Sequence, residues 1–256
     1  MFIKRMAIAF RTLDWQTLLL EFFVLAAGVF VGLQVDAWND RRLDRISSYD
    51  SLAAVKEELQ RQLETYERMS WNAQSWIKYT QYLERVAEDP KLAQEDPEQL
   101  PRAILLSAYA SNFQMPVGVY RQMESNAEFD LIENKELVSA IRAHYLELEM
   151  WQRVNKRIDY IPDNYSVARA GLFTIDEYHA LMTGEGERLD DMAIPGFDGE
   201  DALRLASILS QDKAFLKWLP EMYWFHLGSV NLAGLEIPQI EELKRAIERE
   251  LLTTAH

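Results

Sequence analysis

Between Trp15 and Trp38 the chain reads WQTLLLEFFVLAAGVFVGLQVDAW, and from Leu18 to Val35 only Glu21, Gly28, Gly32 and Gln34 interrupt an apolar run. At about 1.5 Å rise per residue, a helix joining the two tryptophans is roughly 35 Å long, enough to cross a hydrocarbon layer of about 30 Å with slight tilt. Trp15 and Trp38 then fall at the two membrane interfaces, where amphipathic indole rings prefer to sit. A buried helix of a soluble domain rarely carries so long an apolar run. A cleaved signal sequence has a shorter one, about 7–15 residues, followed by small residues. Here Gln34-Val35-Asp36-Ala37-Trp38 follows instead. The stretch predicts one transmembrane helix over 15–38 with the lipid bilayer as its partner. A basic flank at 1–14 precedes it and a soluble domain at 39–256 follows.

The predicted span has sides. Glu21, Leu25, Gly28, Gly32 and Val35 recur in steps of four and three, so they share one helix face. Two glycines four apart let a second helix approach closely, which makes this face the expected helix–helix interface. Glu21 lies about one turn inside the near interface. A carboxylate there is expected to be protonated, paired or turned toward protein or water. It either snorkels or bonds a neighbouring helix, or it belongs to a proton or ion path.

Charge narrows the partners. The net charge is −14, and in residues 1–39 the cations Lys4, Arg5 and Arg11 are balanced by Asp14, Glu21 and Asp36, so the whole excess lies in 40–256. An acidic domain repels phosphate backbones, so nucleic acid is not an expected partner. The chain has no cysteine. Disulfide frameworks, thiolate metal sites and cysteine nucleophiles are therefore excluded. Basic residues tie across the span, with Arg41, Arg42 and Arg45 following it. Short basic tails translocate poorly while long domains cross largely regardless of charge. The expected orientation has the N-terminus cytoplasmic and the large domain on the other side of a bacterial inner membrane, in the periplasm.

Beyond the span there is no proline before Pro90 and no glycine between Gly32 and Gly118. Leu43, Ile46, Tyr49, Leu52, Val55, Leu59, Leu63, Tyr66, Met69, Ala73, Trp76 or Ile77, and Leu83 form one stripe at helical spacing over 39–88. The transmembrane helix is expected to run on through this stripe, about 70 residues in all, with Ser47-Ser48 as the only soft spot. Residues 96–256 are read as the rest of an irregular all-α bundle. Asp96-Pro97 marks one helix start and Asn134 caps a helix to about Ile161, ended by Pro162. A short helix covers 120–124, and Thr174-x-x-Glu177 is a capping box. Helices at roughly 200–217, 219–232 and 238–252 complete the set. Nothing alternates at period two, so no strands are expected.

No motif of known chemistry stands out. The four histidines, at 144, 179, 226 and 256, fall in different elements, and no His-Glu-x-x-His, Gly-x-Ser-x-Gly or glycine-rich phosphate loop occurs. No catalytic, cofactor-binding or metal-binding residue is assigned. Asp190, Asp191, Asp198, Glu200 and Asp201 crowd one stretch, where a solvated acidic loop is expected rather than Ca²⁺ binding, because the EF-hand order is missing. His144 is read as a helix residue with Glu147 as its i,i+3 partner, or as half of a site assembled in three dimensions. The aromatic run Trp218 to His226 is expected to be core, or a surface that meets lipid or a partner helix.

Two segments carry a family resemblance. The first is Glu21, Gly28, Gly32, Gln34, Trp38, Asn39, Arg41 and Arg42. The second runs from Tyr120-x-x-Met123 through Phe129-Asp-Leu-Ile-Glu-Asn-Lys-Glu-Leu137 to His144-Tyr145. Together they resemble a family of bacterial single-pass inner-membrane proteins of unknown function. His144 stands where the family has a first tyrosine, and Asn126-Ala127 where it has a small residue with glycine. The resemblance implies a single-pass anchor with a helical, periplasmic domain, and no activity. The expected role is that of a membrane-anchored interaction or scaffold protein, self-associating or an accessory subunit of a larger membrane complex, and not an enzyme. The alternatives are an oligomeric ion or proton path using Glu21, or an enzyme whose site forms only in the fold.

Overall fold

The structure is a computed structural model. It describes residues 15–110, 114–183 and 197–254, with the backbone alone at 15–21, 41, 180–183 and 254. Its organising element is α1 (Trp15–Glu88), a single helix of 74 residues, about 110 Å long. With no proline or glycine after Gly32 to interrupt the ladder, the helix passes through Ser47-Ser48 unbroken, and the Ser48 hydroxyl donates to the Arg45 carbonyl at 2.9 Å. The two halves of α1 meet different surroundings. Every described side chain from Phe22 to Ile46 is exposed, whereas from Ser48 onward Leu52, Val55, Leu59, Tyr66 and Leu83 are buried. The expected stripe is therefore core only from Leu52, and Leu43, Ile46 and Tyr49 remain outside it.

The remaining elements wrap the buried half of α1. They are α2 (Gln99–Leu106), α3 (Gly118–Ser125), α4 (Lys135–Ile158), α5 (Tyr160–Ala170), α6 (Ile175–Thr183), α7 (Gly199–Gln211), α8 (Lys213–Leu216) and α9 (Leu219–Thr254), with 3-10 turns at Pro90–Gln94 and Glu128–Leu131. Among the described residues there is no strand, and the fold is all-α. The longest pairing is between α1 and α9, which run antiparallel. Lys56 meets Glu248 at 3.0 Å and Lys244 meets Gln60 near one end, while the Trp76 and His226 rings lie 5.3 Å apart toward the other. Two apolar cores result. The proximal core, next to the bare half of α1, joins α1, α3, α4 and the C-terminal half of α9. The distal core joins the end of α1 to α2, α5, α7, α8 and the start of α9.

Local signals place most helix ends. Asn134 Oδ1 accepts from Leu137 N–H at 3.0 Å at the start of α4. Thr174 and Glu177 close the expected capping box, with Glu177 Oε2 accepting from Thr174 N–H at 2.7 Å and Thr174 Oγ1 from Glu177 N–H at 3.3 Å. The expected helix over 200–217 is broken at Asp212, whose side chain caps the start of α8, and α2 ends at Leu106 rather than near Asn112. Three further boundaries differ from expectation, each at a proline. Helix α2 starts at Gln99 rather than at Pro97, because Pro101 has no N–H to donate to the Pro97 carbonyl. Pro162 does end α4, three residues early at Ile158, but it then serves in the first turn of α5 instead of opening a loop. The expected break before Pro238 is absent, and α9 runs through it. Ala233 and Ile240, buried on either side of Pro238, hold the helix together across the missing hydrogen bond.

Candidate functional site

Two features stand out, one inside the bundle and one outside it. Inside, α1 presents Glu58 and Gln62, one turn apart and both fully buried, beside the apolar stripe. Glu58 lies against the N-terminus of α3, where helical N–H groups lack intrahelical partners. Its Oε2 accepts from Val119 N–H at 2.8 Å, and its Oε1 accepts from Tyr120 N–H at 3.2 Å and from the Tyr145 hydroxyl at 2.7 Å. Burial first, and the Glu58 charge second, push the Tyr145 phenol up, so it stays a donor. Tyr120 stacks on Tyr145 with centroids 4.1 Å apart, closing the cluster from the α3 side.

Gln62 fixes the state of His144. Its amide N–H donates to the Pro116 carbonyl at 2.6 Å, which leaves Oε1 to face His144 Nε2 at 2.8 Å. The imidazole must then carry its proton on Nε2. Burial holds His144 neutral, with its pKa lowered to about 4. The expected Glu147 partner is thus replaced by Gln62, 82 positions away in the chain. Glu58, Gln62, Pro116, Tyr120, His144 and Tyr145 form a polar clamp that pins α3 and its preceding turn to α1 and α4. Each acceptor atom of Glu58 is engaged by the protein itself. The helical spacing of Glu58 and Gln62 beside Val55, Leu59 and Leu63 was the available signal for them, because polar residues on an otherwise apolar stripe are buried with it.

A second buried tie lies in the distal core. The His226 ring packs near Trp76 at 5.3 Å, and its Nε2 donates to the Ser107 carbonyl at 3.0 Å, satisfying the C-terminal end of α2. Burial lowers this histidine also to about 4, so it is neutral as well. The aromatic run splits accordingly: Phe225 and His226 are core, whereas Trp224 is exposed. The acidic stretch is accounted for at Asp198, whose carboxylate caps α7 by accepting from Glu200 N–H and Asp201 N–H at 2.8 and 3.0 Å. Asp190 and Asp191 lie outside the described residues, and no metal-holding group of three His, Asp or Glu occurs among the described ones. A surface groove of about 890 Å³ is lined by Arg121, Lys156 and Arg169 together with Asp159 and Asp163, charges of both signs that select neither anions nor cations.

Outside the bundle is the bare half of α1. This is the one helix among the described residues long and apolar enough to cross a membrane. Leu25, Val35 and Trp38 are exposed, and a Cβ added at Gly28 or Gly32 meets nothing within 4 Å. The helical spacing brings Leu25, Gly28, Gly32 and Val35 onto one open face. Glu21 and Trp15 belong to the same helix, with their side chains outside the described set. No family model matches the chain, and neither a curated protein nor a solved structure is significantly similar to it.

Proposed function

We propose that this chain is a single-pass membrane protein that works by contact rather than by catalysis. Residues 15–38 cross the bilayer, and the Leu25, Gly28, Gly32 and Val35 face, continued toward Glu21, docks a second helix. That helix comes from another copy or from a larger membrane complex to which the chain is an accessory subunit. The acidic bundle is carried on the periplasmic side of a bacterial inner membrane, on a helix continuous with the span. Its negative charge argues against a nucleic-acid partner.

The observation that carries this reading is the nakedness of the apolar half of α1. Treated as a smooth cylinder of helix diameter, the run from Leu18 to Val35 presents on the order of 800 Å². A soluble monomer tolerates a patch of roughly 300–600 Å². At about 25 cal/mol per Å², leaving that surface in water costs on the order of 20 kcal/mol, more than a domain's whole stability. Lipid removes the penalty. Close helix packing at the glycines adds van der Waals contact that lipid does not supply. The clustering of the second resemblance segment around Glu58 supports treating its residues as one structural unit within such a family.

The test is the mass of the purified full-length chain in mild detergent. Replacing Gly28→Ile together with Gly32→Ile is expected to reduce the mass of the complex while leaving helicity unchanged. An unchanged mass with the same co-purifying proteins rejects the glycine face as the interface. Quantitative release of the wild type from membranes by alkaline carbonate rejects the span itself.

A further inference from the structure

The clamp and the histidine tie leave one buried carboxylate of the bundle unused. Glu236, in the middle of α9, is fully buried. Its Oε1 accepts from the Trp151 indole N–H on α4 at 2.9 Å, and its Oε2 has no hydrogen-bond partner among the described residues. The groups bearing on it from the packed elements are Glu147 on α4 and the buried phenol of Tyr66 on α1. No basic side chain forms an ion pair with Glu236 or Glu147 among the described residues. A buried carboxylate with a single donor and a second carboxylate nearby is less stable in its charged form than in water. Burial first and Glu147 second raise the Glu236 pKa, and the Trp151 bond pulls the other way. Tyr66 is pushed up by burial and then by the same two glutamates, so it stays a neutral phenol.

The backbone ladder of α9 is interrupted at the same place. Pro238, two residues on, has no N–H to give the Gly234 carbonyl, so the helical ladder is interrupted across Glu236. Glycine at 234 adds no side-chain packing of its own, and its Cβ position is open. A gap in the helical ladder and a buried acid with no cation paired to it among the described residues therefore coincide within one turn of α9, the helix that pairs along α1.

We propose that Glu236 is a proton-operated latch, protonated when α9 is closed on α1 and α4, and loosening α9 at the Gly234–Pro238 hinge when it ionises. The device belongs to the bundle and holds whichever compartment the domain occupies. A raised native pKa means that, above the ordinary glutamate value of 4.5, the folded state keeps a proton the unfolded chain has lost. Stability contributed at low pH is then lost as pH rises from that value through the raised one.

Thermal unfolding of the full-length chain in detergent, followed from about pH 4.5 to about pH 8.5, tests this directly. Glu236→Gln keeps an acceptor for Trp151 and cannot ionise. Its melting temperature is expected to rise progressively above that of the wild type as pH increases. Amide exchange over residues 230–242 is expected to be roughly tenfold slower in this variant at the alkaline end. Two further variants move the titration without removing it. Glu147→Gln takes away the neighbouring charge and shifts the wild-type decline to lower pH. Trp151→Phe takes away the donor and shifts the decline to higher pH. Parallel melting curves for wild type and Glu236→Gln overturn the latch. So does a shift in the same direction, or no shift, in the other two variants.

Discussion

Glu58 illustrates how a charged residue comes to sit at the centre of an apolar core. Its carboxylate takes the place of solvent for the first N–H groups of α3, and the Tyr145 hydroxyl completes the set. Hydrogen bonds to a charged group contribute roughly 1.5–3 kcal/mol each, and unpaired buried donors carry the full desolvation penalty. Glu58→Ala is therefore expected to destabilise the chain by about 3 kcal/mol, lowering its melting temperature by roughly 6–12 °C. Glu128→Ala, which removes partly exposed bonds to Ser51 and Asn126, is expected to shift it by less than about 3 °C. Equal losses in the two variants, measured by thermal unfolding, contradict the clamp. Individual partners of this kind were only partly legible. That Asn134 and Thr174 cap helices follows from their local sequence, because both bonds close within three residues. The pairing of His144 with Gln62 is a contact across 82 positions, and helix periodicity holds no information about which buried polar groups will meet.

At the scale of elements, the absence of breakers was the most reliable guide. A run without proline or glycine from Leu33 to Asp89 is a single helix, and α1 is that helix. The converse inference failed at Pro238. A proline in a helix interior costs about 3 kcal/mol, yet burial of one large apolar side chain returns about 1.5–3 kcal/mol. With Ala233, Ile240, Leu243 and Ile247 all buried against α1 and α4, tertiary packing outweighs the local break and α9 continues. Pro238→Ala restores the bond to the Gly234 carbonyl at an exposed site. It is expected to raise the melting temperature by about 3 °C or more, corresponding to at least 1 kcal/mol. A lower melting temperature in this variant shows that the bundle depends on the interruption.

The whole molecule divides α1 between two environments, and the division point is as informative as either half. From Phe22 to Ile46 the described side chains are exposed, and from Ser48 the helix contributes to the bundle's own core. No breaker separates them, so under the proposed function a partner docked on the apolar half would act on the same continuous helix that α9 packs against. Hydropathy made the long apolar N-terminal helix and the all-α architecture legible, because both depend on residue class and period alone. The position at which the bundle begins was not legible, since Leu43, Ile46 and Tyr49 continue the stripe without being covered. In the proposed function the apolar helix is sided, with protein on the glycine face and lipid opposite. That sidedness is tested by a photo-crosslinking residue placed singly in native membranes at Leu25, Gly32 or Val35, and at Phe23 or Phe30 on the other face. Protein adducts are expected from the first three positions and none from the last two. Adducts distributed evenly around the helix, or absent from the glycine face, contradict it.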